Sequence, residues 1–385
     1  MLALLAPLAL LIWLYLFFGH GRFWVYGPEL PPSVPVECPR VDVIVPARDE
    51  AETIAPVIAS LLAQDYAGSF RVLLVDDDST DDTAVRARTA MGASTGTHAS
   101  TGTRAGSVPS LEILRGAPKP AGWSGKLWAL RQGVAASDAP LLLFTDADIV
   151  HDPRHLAALV AGMEHHGVGL LSEMVRLHCS SLAERALVPA FVYFFQMLYP
   201  FARVNDPRSR AAAAAGGTVL IRRETLERSG GLEAIRGALI DDVALATLVK
   251  PVAPIFLGHS ALARSIRPYP RFSDLWQMIA RTAFTQLRYS ALALAGTIAA
   301  LTLVWLVPVA AMLAAHGLPR WCGLAAFVLA ALSYQPSLRR YQRSSLWAGG
   351  LPLIALFYIA ATIASACHHW FGTGTQWKRR AYQRR

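Results

Sequence analysis

Charge is scarce in this chain of 385 residues. Acidic and basic side chains make up 16% of it while hydrophobic residues reach 54%, against roughly 25% charged in an ordinary soluble protein. That deficit excludes a disordered chain and argues against a wholly soluble one. Cysteine is sparse too. Cys38, Cys179, Cys322 and Cys367 stand far apart with no CxxC, so neither a disulfide framework nor a structural zinc site is expected. A P-loop is missing, because Gly125-Lys126 is preceded by Pro at 120 and followed by Leu at 127, where that motif needs Gly and Ser or Thr. No HExxH occurs, which removes the zincin reading. His165-His166 and His368-His369 have no partner set and read as surface or interfacial residues.

What is present in excess is base. Lys and Arg total 36 against 27 Asp and Glu, a formal charge of +9. Such a surplus suits nucleic acid, an anionic lipid surface or a phosphorylated substrate. Much of it flanks apolar segments, and no aromatic-basic patch of a nucleic-acid module occurs, so no nucleic acid is expected as a partner.

The apolar residues gather at the two ends. Residues 2–18 contain no charged or strongly polar side chain, close to the length needed to cross a bilayer. No basic stretch precedes them and no small-residue cleavage site follows, so they read as an uncleaved anchor over 1–19 rather than a signal peptide. Three further segments lie within 290–368: a clear span at 290–315, a short one at 321–333, and one at 347–366 that carries Pro352. Arg339, Arg340 and Arg343 lie between the last two, and a basic tail over 369–385 follows. Both clusters prefer the cytoplasm by the positive-inside rule. Three full crossings would put the tail outside, so either the tail departs from the rule or one segment is a re-entrant or interfacial hairpin. Arg22, directly after the anchor, places residues 20–289 in the cytoplasm and makes the chain a multi-pass protein of the inner membrane.

The middle alternates strand and helix. Apolar runs at 41–46, 71–75, 111–114 and 141–144 read as strands, with a helical pattern over 50–63. Continuous apolar strands between helices predict an α/β fold, a mostly parallel sheet covered on both faces. Residues 92–110, rich in Gly, Ser, Thr and Ala, read as a surface loop. The stretch 186–201 reads either as a core helix or as one lying in the membrane interface.

In such sheets ligands bind outside the carboxyl ends of the strands, and acids cluster at two of those ends. Asp76, Asp77 and Asp78 end the second strand, and their mutual repulsion calls for a cation or donors; the plainer alternative is a solvated turn that caps the next helix. Asp146 and Asp148 end the fourth, one residue apart, a pair able to hold a hard divalent cation that also bridges phosphate oxygens. Asp241 and Asp242 open a later helix. They serve either the helix dipole or, partly desolvated and close to another negative group, a general base.

The ordered series Val45-Pro-Ala-Arg-Asp-Glu50, Val75-Asp-Asp-Asp-Ser-Thr-Asp81, Thr145-Asp-Ala-Asp148, Gly216-Gly217 and Asp241-Asp-Val-Ala-Leu245 resembles the family 2 glycosyltransferases over roughly residues 40–290. With Gly122-Trp-Ser-Gly-Lys-Leu127, the stretch 189–205 and the flanking apolar segments, it looks most like the hopene-associated branch. The resemblance implies a GT-A fold (Rossmann-like) over 20–289 between N- and C-terminal transmembrane helices. It also implies Mg²⁺ or Mn²⁺, a nucleotide-diphosphate sugar donor, inversion at the anomeric centre and a lipid acceptor, hopanoid or polyprenoid. By the same likeness Pro46, Ala47 and Glu50 line the nucleotide and Asp77 faces the base. Asp148 binds the metal, Asp146 reaches the ribose or the metal, Asp242 is the catalytic base beside Asp241, and Lys126 underlies the diphosphate. The chain departs from the pattern where Asp78 replaces a Gly and Asp241 a Glu. The processive Gln-x-x-Arg-Trp is not intact: 277–281 is one residue too long and 286–289 one too short. This speaks against a polymerising synthase and leaves Arg281 either as a diphosphate contact or as a basic residue near the membrane face. The competing reading is a catalytically inactive membrane scaffold that binds a nucleotide sugar or a partner enzyme.

Overall fold

The computed structural model describes residues 1–98, 109–372, 376–377 and 380–381. Strands are β1 (Val41–Ala47), β2 (Phe70–Asp76), β3 (Ser110–Arg115), β4 (Leu141–Thr145), β5 (Ile149–His151), β6 (Leu170–Arg176), β7 (Thr218–Arg222) and β8 (Ile255–Ser265), with a two-residue pair β9 (Gln376–Trp377) and β10 (Arg380–Ala381). The first nine helices are α1 (Leu2–Leu14), α2 (Ile54–Leu62), α3 (Thr83–His98), α4 (Gly125–Ala135), α5 (His155–His166), α6 (Leu182–Leu198), α7 (Phe201–Asn205), α8 (Arg223–Arg228) and α9 (Asp241–Val249). Five follow: α10 (Phe272–Gln286), α11 (Ala291–Leu301), α12 (Val307–Ala314), α13 (Leu318–Arg340) and α14 (Leu351–Phe371).

The chain forms two compact units. One comprises residues 28–177, 204–267 and 376–385. Its eight-stranded sheet has the order β3-β2-β1-β4-β7-β6-β8-β5, with β3, β2, β1 and β4 parallel to one another and β7 antiparallel to both β4 and β6. The sheet is thus mixed, as a mostly parallel α/β reading allows. β1 is buried along its whole length, which is why it reads as an unbroken apolar run save for Asp42, whose carboxylate is paired with Arg71 at 2.9 Å. Ile54, Val57, Ile58 and Leu61 of α2 pack on Val43, Val45, Val72 and Leu74 in the core. Strand order reverses between β1 and β4, so the switch-point crevice opens at the ends of those two strands. The helix expected from residue 50 begins at Ile54 because Asp49 takes a left-handed φ of 50° and Glu50 accepts a turn bond from Thr53. The loop expected over 92–110 is not observed at its two ends: α3 carries its helical backbone through His98, with no proline to stop it, and Ser110 already starts β3. The remainder of that loop, 99–108, and the basic tail at Lys378, Arg379, Arg384 and Arg385 lie outside the described residues.

The other unit comprises residues 1–27, 178–203 and 268–375. Four of its helical stretches are long and apolar enough to cross a membrane: Leu2–Gly19, Ala291–Ala314, Leu318–Arg340 and Ser345–Phe371. The segment expected to be short, 321–333, belongs to the 23-residue α13. Its apolar run looks interrupted because Ser333, Tyr334 and Ser337 are polar, but all three are buried against neighbouring helices, and Ser333 hydrogen bonds Tyr193 of α6 at 2.6 Å. Pro352 sits in the first turn of α14, where its missing N–H costs nothing. α6 begins with a capping box, Ser181 to Glu184, and the buried Glu184 also accepts from the backbone N–H of Tyr269.

Gly133 of α4 packs directly on β1, and a β-carbon there would overlap Cγ2 of the fully buried, branched Ile44. Gly133→Ala should therefore destabilise the protein by about 1–2 kcal/mol, overpacking outweighing the helix-propensity gain. The check is the thermal midpoint of the detergent-solubilised chain, which should fall; a midpoint equal to or above the parent's would contradict this packing.

Candidate active site

Three strand ends and two helix starts supply the site. After β1 the chain turns through Asp49, and that turn is tied to the one after β2. The Asp49 N–H donates to Ser79 Oγ at 3.0 Å, the Thr80 N–H donates to Asp49 Oδ1 at 2.8 Å, and the Glu50 N–H donates to Thr83 Oγ1 at 2.8 Å. Asp77 donates its N–H to the carbonyl of Ala47 at 2.8 Å, and its buried carboxylate lies 3.8 Å from the Arg48 guanidinium. Asp78 adopts φ of 59°, the left-handed region that favours glycine and where Asp is among the better-tolerated alternatives.

β4 ends in Asp146, and here the main charge cluster forms. Lys126, on the first turn of α4 behind its Ser124 cap, reaches Asp146 Oδ1 at 2.8 Å and Asp241 Oδ2 at 3.0 Å. Asp242 is held on both oxygens: Oδ2 accepts from the Gly216 N–H and Oδ1 from the Val243 N–H, each at 2.8 Å. A β-carbon at position 216 would sit 3.2 Å from Asp242 Oδ2 and 3.3 Å from Lys126 Nζ and would press on both. Pro46, Lys126, Asp146, Gly216, Asp241 and Asp242 line one pocket.

The electrostatics follow from that crowding. Burial, with Asp241 alongside, raises the Asp242 carboxyl to about 6 against the pull of Lys126 and two backbone N–H groups. Burial also raises Asp146, with Asp148 and Asp241 adding to the effect and Lys126 opposing it. For Lys126 burial works the other way, yet Asp146 and Asp241 outweigh it and keep the ammonium charged.

Asp148 is held differently. Its Oδ2 accepts from Arg267 Nε at 2.9 Å and from Ser265 Oγ at 3.1 Å, and the same guanidinium clasps Glu50 at 2.6 and 2.8 Å. Ser265, the last residue of β8, and Arg267, two residues beyond it, escape a sequence reading because that strand has no acidic terminus and no motif to mark it. The structure thus joins Lys126, Asp146, Asp241 and Asp242 in one group, and Glu50 and Asp148 in a second through Arg267. Pro46 and Ala47 end β1, with Asp77 beside Ala47. Arg281 lies exposed on α10 in the other unit.

Asp146 and Asp148 offer hard oxygen donors one residue apart, and among the described residues no group of three His, Cys, Asp or Glu side chains forms a closed metal cage. That donor set fits Mg²⁺ or Mn²⁺, which take one or two carboxylates and complete their shell with substrate phosphate and water.

Residues 42–230, just under half of the chain, match the model of Glycosyl transferase family 2. An N-acetylglucosaminyltransferase of Azorhizobium caulinodans is 31% identical over 132 residues, 34% of this chain and 29% of that protein. A dodecaprenyl-phosphate galacturonate synthase of Rhizobium johnstonii is 26% identical over 139 residues, 36% of each. The matches therefore span about a third of these relatives' lengths. Among solved structures, a mannosyltransferase of Pyrobaculum calidifontis in complex with GDP-Man and Mn²⁺ superposes with a TM-score of 0.57 at 20% identity, covering 95% of this chain and 99% of that one. Residues 42–230 are thus similar to glycosyl transferase family 2, and the strand order and strand-end acids sit on a GT-A fold.

Proposed function

We propose that the protein is a membrane-bound, inverting glycosyltransferase that moves a sugar from a nucleotide-diphosphate sugar to a lipid acceptor of the polyprenoid or hopanoid class. The observation that carries this reading is the convergence of Lys126, Asp146, Asp241 and Asp242 at the β1/β4 switch point. Four apolar helices long enough to span a bilayer support a lipid acceptor that stays in the membrane. The polyprenyl-phosphate named in one relative points the same way. Residues 20–289 face the cytoplasm of the inner membrane in this proposal, where nucleotide sugars are made.

Asp242 is the base. Its carboxylate, raised to about 6, takes the proton of an acceptor hydroxyl as that oxygen attacks C1 of the sugar. The C1–O bond to the diphosphate breaks on the opposite face, and the nucleotide diphosphate departs with the bond's electron pair. Lys126 supplies positive charge next to the departing diphosphate, and Asp241 holds Lys126 there. Pro46, Ala47, Glu50 and Asp77 line the nucleotide. Asp146 and Asp148 would hold the divalent cation, which when bound neutralises charge on the diphosphate.

The test is incubation of membranes containing the protein with a panel of labelled nucleotide sugars, followed by lipid extraction. Label should enter the lipid fraction, vanish with EDTA and return with added Mg²⁺ or Mn²⁺. Nucleotide binding without any labelled lipid would instead favour an inactive scaffold. Replacing Asp242 by Asn should lower kcat by roughly 10²- to 10⁴-fold with little change in donor KM; undiminished transfer would remove Asp242 from the base role. Because the base acts deprotonated and stands at about 6 in the free protein, kcat/KM should be level above that pH and fall about tenfold per unit below it. A profile flat down to pH 4.5 would count against Asp242 as the base.

A further inference from the structure

Beneath the β4 terminus lies a row of buried polar groups that sugar transfer as described does not use. Thr145 Oγ1 donates to the Gly217 carbonyl at 2.9 Å and lies 3.1 Å from His151 Nε2. His151 Nδ1 lies 2.7 Å from His155 Nδ1, and His155 Nε2 lies 2.7 Å from Glu173 Oε2. All four side chains are less than 5% exposed. The two imidazoles are stacked, with centroids 5.0 Å apart.

The proton positions along this row follow from its ends. A carbonyl can only accept, so the Thr145 hydroxyl proton points at Gly217. Thr145 Oγ1 must then accept from His151, which places a proton on His151 Nε2. Two N–H groups cannot face each other at hydrogen-bond distance, so between the two Nδ1 atoms one donates and one accepts. Burial, together with His155, pushes the His151 pKa well below its usual 6.5. His151 is therefore neutral, its Nδ1 is the lone pair, and His155 Nδ1–H is the donor. The last proton is shared between His155 Nε2 and Glu173, a charge-assisted pair.

We infer that Glu173, His155, His151 and Thr145 form a one-way hydrogen-bond chain that positions the Gly216–Gly217 turn, and through it the base Asp242. The link is direct: Gly217 receives the chain's final bond, and its neighbour Gly216 donates to Asp242 Oδ2 at 2.8 Å. Ser172 braces the same turn by exchanging hydrogen bonds with both backbone groups of Ala215. Thr145 also immediately precedes Asp146, so one hydroxyl sits between the base and the acid that faces Lys126. These four are positioning residues and touch neither donor nor acceptor. The assignment of what they position rests on the glycosyl-transfer reading; the direction of the chain does not.

The experiment uses the full chain in lipid nanodiscs with ¹⁵N-labelled histidine. The ring resonances of His151 are identified by their loss in His151→Gln and by their displacement in Thr145→Val. At neutral pH, Nε2 should be of the protonated type and Nδ1 of the unprotonated type; the opposite tautomer, or an imidazolium, overturns the chain. In transfer assays with the donor selected by the nucleotide-sugar panel, Thr145→Val should lower kcat by roughly 10²-fold at unchanged donor KM. Thr145→Ser should return most of that loss, and His151→Gln, whose amide offers an acceptor and a donor at the same spacing, should outperform His151→Leu. Wild-type kcat in folded Thr145→Val overturns the positioning role. If the wild type transfers no sugar at all, the glycosyl-transfer reading falls while the tautomer measurement still decides the chain.

Discussion

Carboxylates delivered to one place by separate strands and helices repel one another, and the site holds together only because two cations are built among them. Lys126 answers Asp146 and Asp241, and Arg267 answers Glu50 and Asp148. Burial makes each of these charges costly alone and each pairing correspondingly strong. The sheet exists in this form partly to serve that neutralisation. Its order reverses between β1 and β4, and the crevice at that reversal is where backbone N–H groups and side-chain cations can reach acids arriving from both directions.

The two cations give the acids different standing. Asp242 is held by two backbone N–H groups, and burial with Asp241 alongside raises its affinity for a proton. Asp148 is clasped directly by a guanidinium and a hydroxyl. Chemically similar side chains thus stand in different surroundings at one end of the sheet.

Much of this was legible in the sequence, for a physical reason. Buried parallel strands must be apolar throughout, so an acid directly after such a run stands out, and Asp76 to Asp78, Asp146 and Asp148 all do. Asp241 and Asp242 were visible as the opening of a helix. Arg267 was not visible, because β8 mixes small and polar residues and its end carries no acid. The histidine row was hidden as well: His151, His155 and Glu173 come from β5, α5 and β6, and no spacing along the chain signals that three elements share one buried line. The full length of α13 was obscured because Ser333, Tyr334 and Ser337 look exposed in a one-dimensional reading, whereas helix packing buries them.

The cross-tied turns after β1 and β2 carry a consequence for how a donor would be met. Asp49, Ser79, Thr80, Glu50 and Thr83 knit the two turns into one piece. Turns so cross-tied have little conformational freedom to lose when a molecule settles on their rim, so the free energy of contact goes into retention rather than into organising the receptor.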